Sequence, residues 1–220
     1  MAAGVAGTAY MTLGQSSYGQ SALPTLAEYV PEFFSADEWA FIQAATSRLI
    51  PSDGDGPGAL EARVPVFVDL QLNGDFGHAA DWYMEGPHRP DADPLLGFQA
   101  HSTPAEIYRE GIVLFDAWCQ QSHEAVFAEL DETEQDSALL ALQKGEVALP
   151  ENLRDFFDLL LQNTKEGYFS DPQYGGNHDM GGWVHIGFPG ARASFLEWND
   201  PVTDNLTYPL GPVSIAGDRA

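Results

Sequence analysis

Apolar positions recur at helical spacing in several separate stretches, and polar signals mark where each one starts. The first is "FFSADEWAFIQAATSRLIP". Trp39, Ile42, Ala45 or Thr46, and Leu49 share one face of a 3.6-residue period. Ser35 is a good N-cap and Glu38 follows three residues later, which makes a capping box. Phe34 precedes the cap and is placed to staple onto Trp39, and Pro51 ends the helix. The second is "ALEARVPVFVDLQLNG", with Pro65 in a first turn and Val64, Phe67, Val68 and Leu72 on the apolar face. A second phase runs through Leu70 and Gln71, and the β-branched run also permits a strand. The third and longest covers "STPAEIYREGIVLFDAWCQQSHEAVFAEL". Thr103 caps it, Pro104 opens it and Glu106 closes a second capping box. Its inner stripe reads Ile107, Gly111, Leu114, Phe115, Trp118 and Ser122.

Two more helices follow. "LDETEQDSALLALQKGEV" has Asp131 as its cap and Lys144-Gly145 as its close. "LPENLRDFFDLLLQNTKEGYF" carries Leu153, Phe156, Phe157, Leu160 and Thr164 on one stripe, with Leu159 and Leu161 off it. A helix apolar on more than one side is deeply buried or meets a second surface. The remaining chain has no sustained period. "HAADWYMEGPHRPDADPLLGFQAHS" is a proline-rich irregular segment, and the chain after Gly190 carries turns and prolines. The pattern predicts a mainly α-helical domain of about five helices with long irregular loops and an extended C-terminal tail. The expected division is a flexible tail or export-signal remnant over 1–30, a helical domain over 31–198 and an extended tail over 199–220.

Charge changes what such a domain can bind. Thirty-three Asp and Glu stand against nine Lys and Arg, a formal net charge of −24. Nucleic acid needs a basic face, and an anionic membrane repels an acidic one, so both are excluded as direct partners. A surface this acidic, with Lys144 and Lys165 as its only lysines, suits high-salt or extracytoplasmic surroundings. Cys119 is the single cysteine, which leaves no internal disulfide, thiolate zinc site or iron–sulfur cluster. In a helix pattern it reads as a buried structural thiol. The opening "MAAGVAGTAYMTLG" is small, apolar and uncharged, like the apolar part of an export signal, although no Arg or Lys precedes Arg48.

Candidate chemistry is sparse. No P-loop, dinucleotide fingerprint or nucleophile-elbow serine occurs, and the two aspartates of "SDGDGPG" lack the ligand register of a calcium loop. His178, Asp179 and His185 invite a metal reading, with a free-standing metal-dependent enzyme as its consequence, but structural histidines are the simpler account. Exposed rings such as Trp183 and Tyr174 would serve a sugar-binding module. No catalytic set, cofactor site or metal site is assigned.

The most unusual segment is "EGYFSDPQYGGNHDMGGWVHIGFPG", Glu166 to Gly190. Seven of its twenty-five residues are glycine and five are aromatic, and it shows neither helix nor strand period. It reads as a shaped loop whose rings either plug the chain's own core or anchor a partner. The run "LLLQNTKEGYFSDPQYGGNHDMGGWVHIGFPGA" resembles the signature of the gluconate 2-dehydrogenase subunit 3 family. "FFSADEWAFIQAATSRLIPSDGDGPGALEARVPVFVDLQL", "TPAEIYREGI" and "FAELDETEQDSALLALQKGE" are similar to its earlier parts, so the resemblance covers roughly residues 33–195.

The resemblance implies a small, or gamma, subunit of a membrane-associated flavoprotein dehydrogenase. A large FAD-containing subunit would oxidise a sugar or sugar acid, and a multihaem cytochrome c subunit would carry the electrons onward. The small subunit would hold no redox centre, would stabilise the flavoprotein and would escort it to the periplasm on a twin-arginine (Tat) signal, touching the membrane only through its partners. This sequence lacks the twin arginine, and paired arginines are expected upstream of Met1 if "MAAGVAGTAYMTLG" is a signal remnant. The expected partner interface is Tyr168, Phe169, Tyr174, Gly175, Gly176, Asn177, Asp179, Met180, Trp183, Phe188, Pro189 and Gly190.

Overall fold

The computed structural model of the chain describes residues 25–89, 91–97, 99, 101–195 and 210–220. The 1–24 part of the expected tail, and 199–209 of the expected C-terminal tail, lie outside the described residues. Six α-helices form the body among the described residues. They are α1 (Ala36–Leu49), α2 (Val64–Asn73), α3 (Pro104–His123), α4 (Glu132–Gln143), α5 (Phe156–Phe169) and α6 (Gly181–Ile186). Short 3₁₀ turns punctuate the connections, and the only β pairing among those residues is two isolated bridges near the C-terminus.

The predicted caps are present as bonds. The Ser35 and Thr103 side chains accept from the backbone amides of Glu38 and Glu106, and those glutamates reach back to the cap amides. Asp131 and Glu134 make a third box of the same kind. Phe34 lies 6.5 Å from Trp39 between ring centroids, the staple expected across that cap. Gly145 takes a left-handed conformation just past α4, as a helix stop there requires. The ambiguous second segment is helical, with Val64, Phe67, Val68 and Leu72 all buried.

Helices α1 and α5 sit at the centre and pack against α2, α3, α4 and each other. Phe41 joins them through an aromatic cluster. Its ring lies 5.1 Å from Phe127, 6.0 Å from Phe115 and 6.4 Å from Phe156, and Tyr108 meets Phe156 edge-on at 5.9 Å. Edge-to-face and tilted rings at these separations add to the stabilisation that burial already supplies.

Two parts of the α3 reading need correction. The helix ends at His123, not near Leu130. Glu124 turns left-handed, and the Asp116 carboxylate accepts the Phe127 amide at 2.9 Å, which swings Phe127 back between Phe41 and Phe115. Its inner face is Ile107, Tyr108, Gly111, Ile112, Phe115 and Cys119. Leu114 and Ser122 are exposed, and Trp118 is half-buried, stacked on Phe115. Tyr108 sets this phase, because its hydroxyl finds the buried Asn163 amide oxygen at 2.9 Å. Burial pushes the Cys119 thiol up to about 12, with Asp116 adding to the effect, so at neutral pH it is a neutral packing group.

A fully buried carboxylate ties the entry of the chain to this body. Asp69 of α2 accepts the Tyr29 hydroxyl and the Glu32 amide on one oxygen, and the Phe33 and Phe34 amides on the other, all within 3.0 Å. The segment before α1 is therefore clamped across α2.

Candidate functional site

The glycine–aromatic stretch starts in the last turn of α5, at Glu166–Phe169, and leaves the helix at Ser170. The last carbonyls of any α-helix lack intrahelical partners and need donors from elsewhere. Here the stretch folds back to supply them. The Trp183 indole Nε1 donates to the Phe169 carbonyl at 2.7 Å, and the Asn177 side-chain amide donates to the Ser170 carbonyl at 2.8 Å. The Asn177 Oδ1 then accepts the Gly182 amide at 2.9 Å, near the start of α6. One fully buried asparagine thus links the end of α5 to the beginning of α6. Its φ of 43° is left-handed, a conformation asparagine tolerates better than most residues.

The glycines have an equally local reason. A Cβ at Gly176 would fall on the Gly167 carbonyl, and one at Gly182 on the Tyr168 carbonyl. The returning backbone lies directly against α5, and only glycine permits that approach. The expectation of a stretch without helix is corrected accordingly. It holds 3₁₀ turns at Pro172–Tyr174 and His178–Met180, followed by α6. None is long enough to leave a 3.6-residue period in the sequence.

The stretch is pinned on two further sides. The Tyr168 hydroxyl donates to the Pro57 carbonyl at 2.7 Å and the His178 amide to the Ala62 carbonyl at 3.1 Å, which fixes the "SDGDGPG" loop beneath it. Glu61 closes that loop by accepting the Ser52 hydroxyl and the Gly58 amide. On the other side, buried Asp171 accepts the Ile215 amide at 2.6 Å, and Val213 bridges Gly190. The last eleven residues thus dock on the stretch and do not trail away from it.

The twelve residues expected at a partner interface divide by burial. Tyr168, Gly176, Asn177, Met180, Trp183, Pro189 and Gly190 are buried, and Gly175 is half-buried. Phe169, Tyr174, Asp179 and Phe188 are exposed. Trp183, only 5% exposed, packs inward with Phe188 edge-on at 5.2 Å. The periodless reading missed Val184 and Ile186, which are 55% and 56% exposed. Because α6 turns Trp183 inward, the next residues must point out. Knowing that a helix begins at Gly181 would have revealed them.

A match to a family model now gives this arrangement a context. It spans residues 36–190, from the first residue of α1 to the last glycine of the stretch, under the description gluconate 2-dehydrogenase subunit 3. The chain belongs to the gluconate 2-dehydrogenase subunit 3 family. Neither a search of curated proteins nor one of solved structures gives a match.

The family's matched region includes all six helices and the whole cap of α5. Its alternative readings fare less well. His178 lies 3.5 Å from its neighbour Asp179, while the His185 ring covers Gly56 in the "SDGDGPG" loop. Among the described residues, no three His, Cys, Asp or Glu side chains gather as metal ligands, so the proposed trio is not assembled. Of the two rings in the sugar-binding reading, Trp183 has no face free for a sugar ring, while Tyr174 is exposed. No helix among the described residues is long and apolar enough to cross a membrane.

Proposed function

We propose that this chain is the non-catalytic small subunit of a periplasmic FAD-dependent sugar or sugar-acid dehydrogenase, and that it stabilises and escorts the flavoprotein. The observation that carries this reading is the match to a dehydrogenase subunit family over 36–190, in a chain whose family-matched segment ends with several exposed apolar side chains. FAD belongs on the large subunit and haem c on a multihaem cytochrome subunit. The membrane is met through those partners, and the assembled pair is exported by the twin-arginine route. The buried half of the glycine–aromatic stretch builds the surface, and its exposed half, with Phe169, Tyr174 and Phe188, meets the flavoprotein.

The test is to produce the flavoprotein large subunit with and without this chain. The expected result is a stoichiometric complex, and export and dye-linked dehydrogenase activity that depend on the chain. A large subunit that folds, is exported and turns over equally well alone, and does not bind this chain, would overturn the reading.

A further inference from the structure

Eight of the fifteen exposed large apolar side chains among the described residues lie from Phe169 onward. At the centre of that group is α6 with its C-cap. Val184, His185 and Ile186 stand in succession on the surface, and Phe188 follows after the left-handed Gly187. Single exposed apolar residues are ordinary, but a cluster on a fixed frame marks an interaction site. The frame here is held by the Asn177, Trp183, Tyr168 and Asp171 bonds, so a partner has little ordering entropy to overcome.

The cleft beside α6 is acidic. His185 also lines an open cleft of about 490 Å³ between α6 and the "SDGDGPG" loop. Asp53 and Asp55 are on its wall with Tyr168, and no Lys or Arg lines it. Residues 166–190 contain no Arg, and their neighbour Lys165 is the nearest lysine before them. Like charges facing across an interface are disfavoured, so a cationic side chain on the covering surface is complementary to this cleft.

We infer that the exposed face of α6 docks a basic–apolar segment of the flavoprotein large subunit. Aliphatic or aromatic side chains of that segment cover Val184, Ile186 and Phe188, and one arginine or lysine enters the cleft between Asp53 and Asp55. This rests on the function proposed above, and specifies where the flavoprotein sits and which chemistry it presents.

The experiment measures binding of the purified large subunit to four forms of this chain across a range of salt concentrations, with the melting temperature of each form taken alone. The forms are wild type, Asp53→Asn/Asp55→Asn, Val184→Ser/Ile186→Ser, and Val113→Ser/Leu114→Ser on the exposed side of α3. The carboxamide pair should weaken binding about tenfold at low salt and flatten its salt dependence. The serine pair on α6 should weaken it about tenfold or more with the salt dependence kept. The α3 pair should bind like wild type, and all four should melt close together. Unchanged affinity and salt slope in the carboxamide pair would overturn the cation in the cleft. Full binding by the α6 serine pair, with binding lost in the α3 pair, would move the docking face while leaving the subunit role intact. Absence of binding by the wild type would remove that role, and this inference with it.

Discussion

The indole nitrogen of Trp183 donates a 2.7 Å hydrogen bond to the carbonyl of Phe169, fourteen residues earlier at the last position of α5. The ring therefore belongs to the fold and caps α5, one of the two central helices. Trp183→Ala should cost the isolated chain about 3–5 kcal/mol of stability, through a cavity and an orphaned carbonyl. Trp183→Phe keeps most of the ring and should cost about 1–2 kcal/mol, near the value of the lost bond. Urea unfolding measures both. Wild-type stability in Trp183→Phe would show that the hydrogen bond contributes nothing, and equal costs for the two variants would show that the ring's packing contributes nothing.

Gly182 sets two effects against each other. It lies inside α6, where alanine is favoured over glycine by about 1 kcal/mol. Its added Cβ, however, would strike the Tyr168 carbonyl, and a backbone atom on a packed helix cannot step aside. Steric conflict should win, so that Gly182→Ala destabilises by about 1–3 kcal/mol. A thermal melt of the variant that rises above wild type would mean that α6 does not lie against α5 as described.

The frame was legible in the sequence wherever a local rule carried the information. Ser35, Thr103 and Asp131 announce their helices because a cap needs only its own next three residues. The stripe of α5 was equally plain, since Phe156, Phe157, Leu160 and Thr164 are all buried, although the helix starts at Phe156 and buried Leu153 belongs to a 3₁₀ turn before it. What escaped the sequence depends on residues far apart in the chain. Asp69 looks like one more acid on an amphipathic helix, yet its partners lie 35 to 40 positions away. Asn177 was expected at a partner interface, and its inward role could not be read because it requires the end of α5 and the start of α6 to be side by side. The outward side of the stretch was half readable. Phe188 was expected at the surface, but Val184 and Ile186 could be placed there only once Trp183 was known to face inward.

Asp69 should dominate the stability of the entry segment. Its carboxylate receives four hydrogen bonds in a site with no access to water. Asp69→Asn is nearly isosteric, but an amide nitrogen must then face backbone N–H donors. The expected loss is about 2–4 kcal/mol, several times that of an ordinary surface substitution. Limited proteolysis should also show new cleavage between Thr25 and Phe34. A variant with wild-type stability and unchanged cleavage would show that the clamp is dispensable.

The capping box of α1 should confer a specific acid sensitivity. Burial alone would raise the Glu38 carboxyl, but the Ser35 amide and hydroxyl and the Arg109 guanidinium together hold it below its ordinary 4.5. The Arg109 guanidinium is itself placed by the Phe33 carbonyl at 2.6 Å and by the Phe33 ring, 4.2 Å from its centroid. Because the folded state favours the charged form, the unfolded chain binds more protons as the pH falls. The contribution is therefore present above 4.5 and is lost as the pH drops through the lower folded value. Glu38→Gln should reduce stability at pH 7 and make the acid limb below pH 4.5 shallower, since one carboxylate that must be protonated has gone. Arg109→Met leaves the box in place but removes the cation, and should shift that limb towards higher pH. The check is urea unfolding of the three proteins at pH values from 7 down to 3 (roughly the span over which carboxylates titrate). Parallel stability curves would show that Glu38 titrates alike in the folded and unfolded chain, and that its bonds to Ser35 and Arg109 do not contribute to the fold.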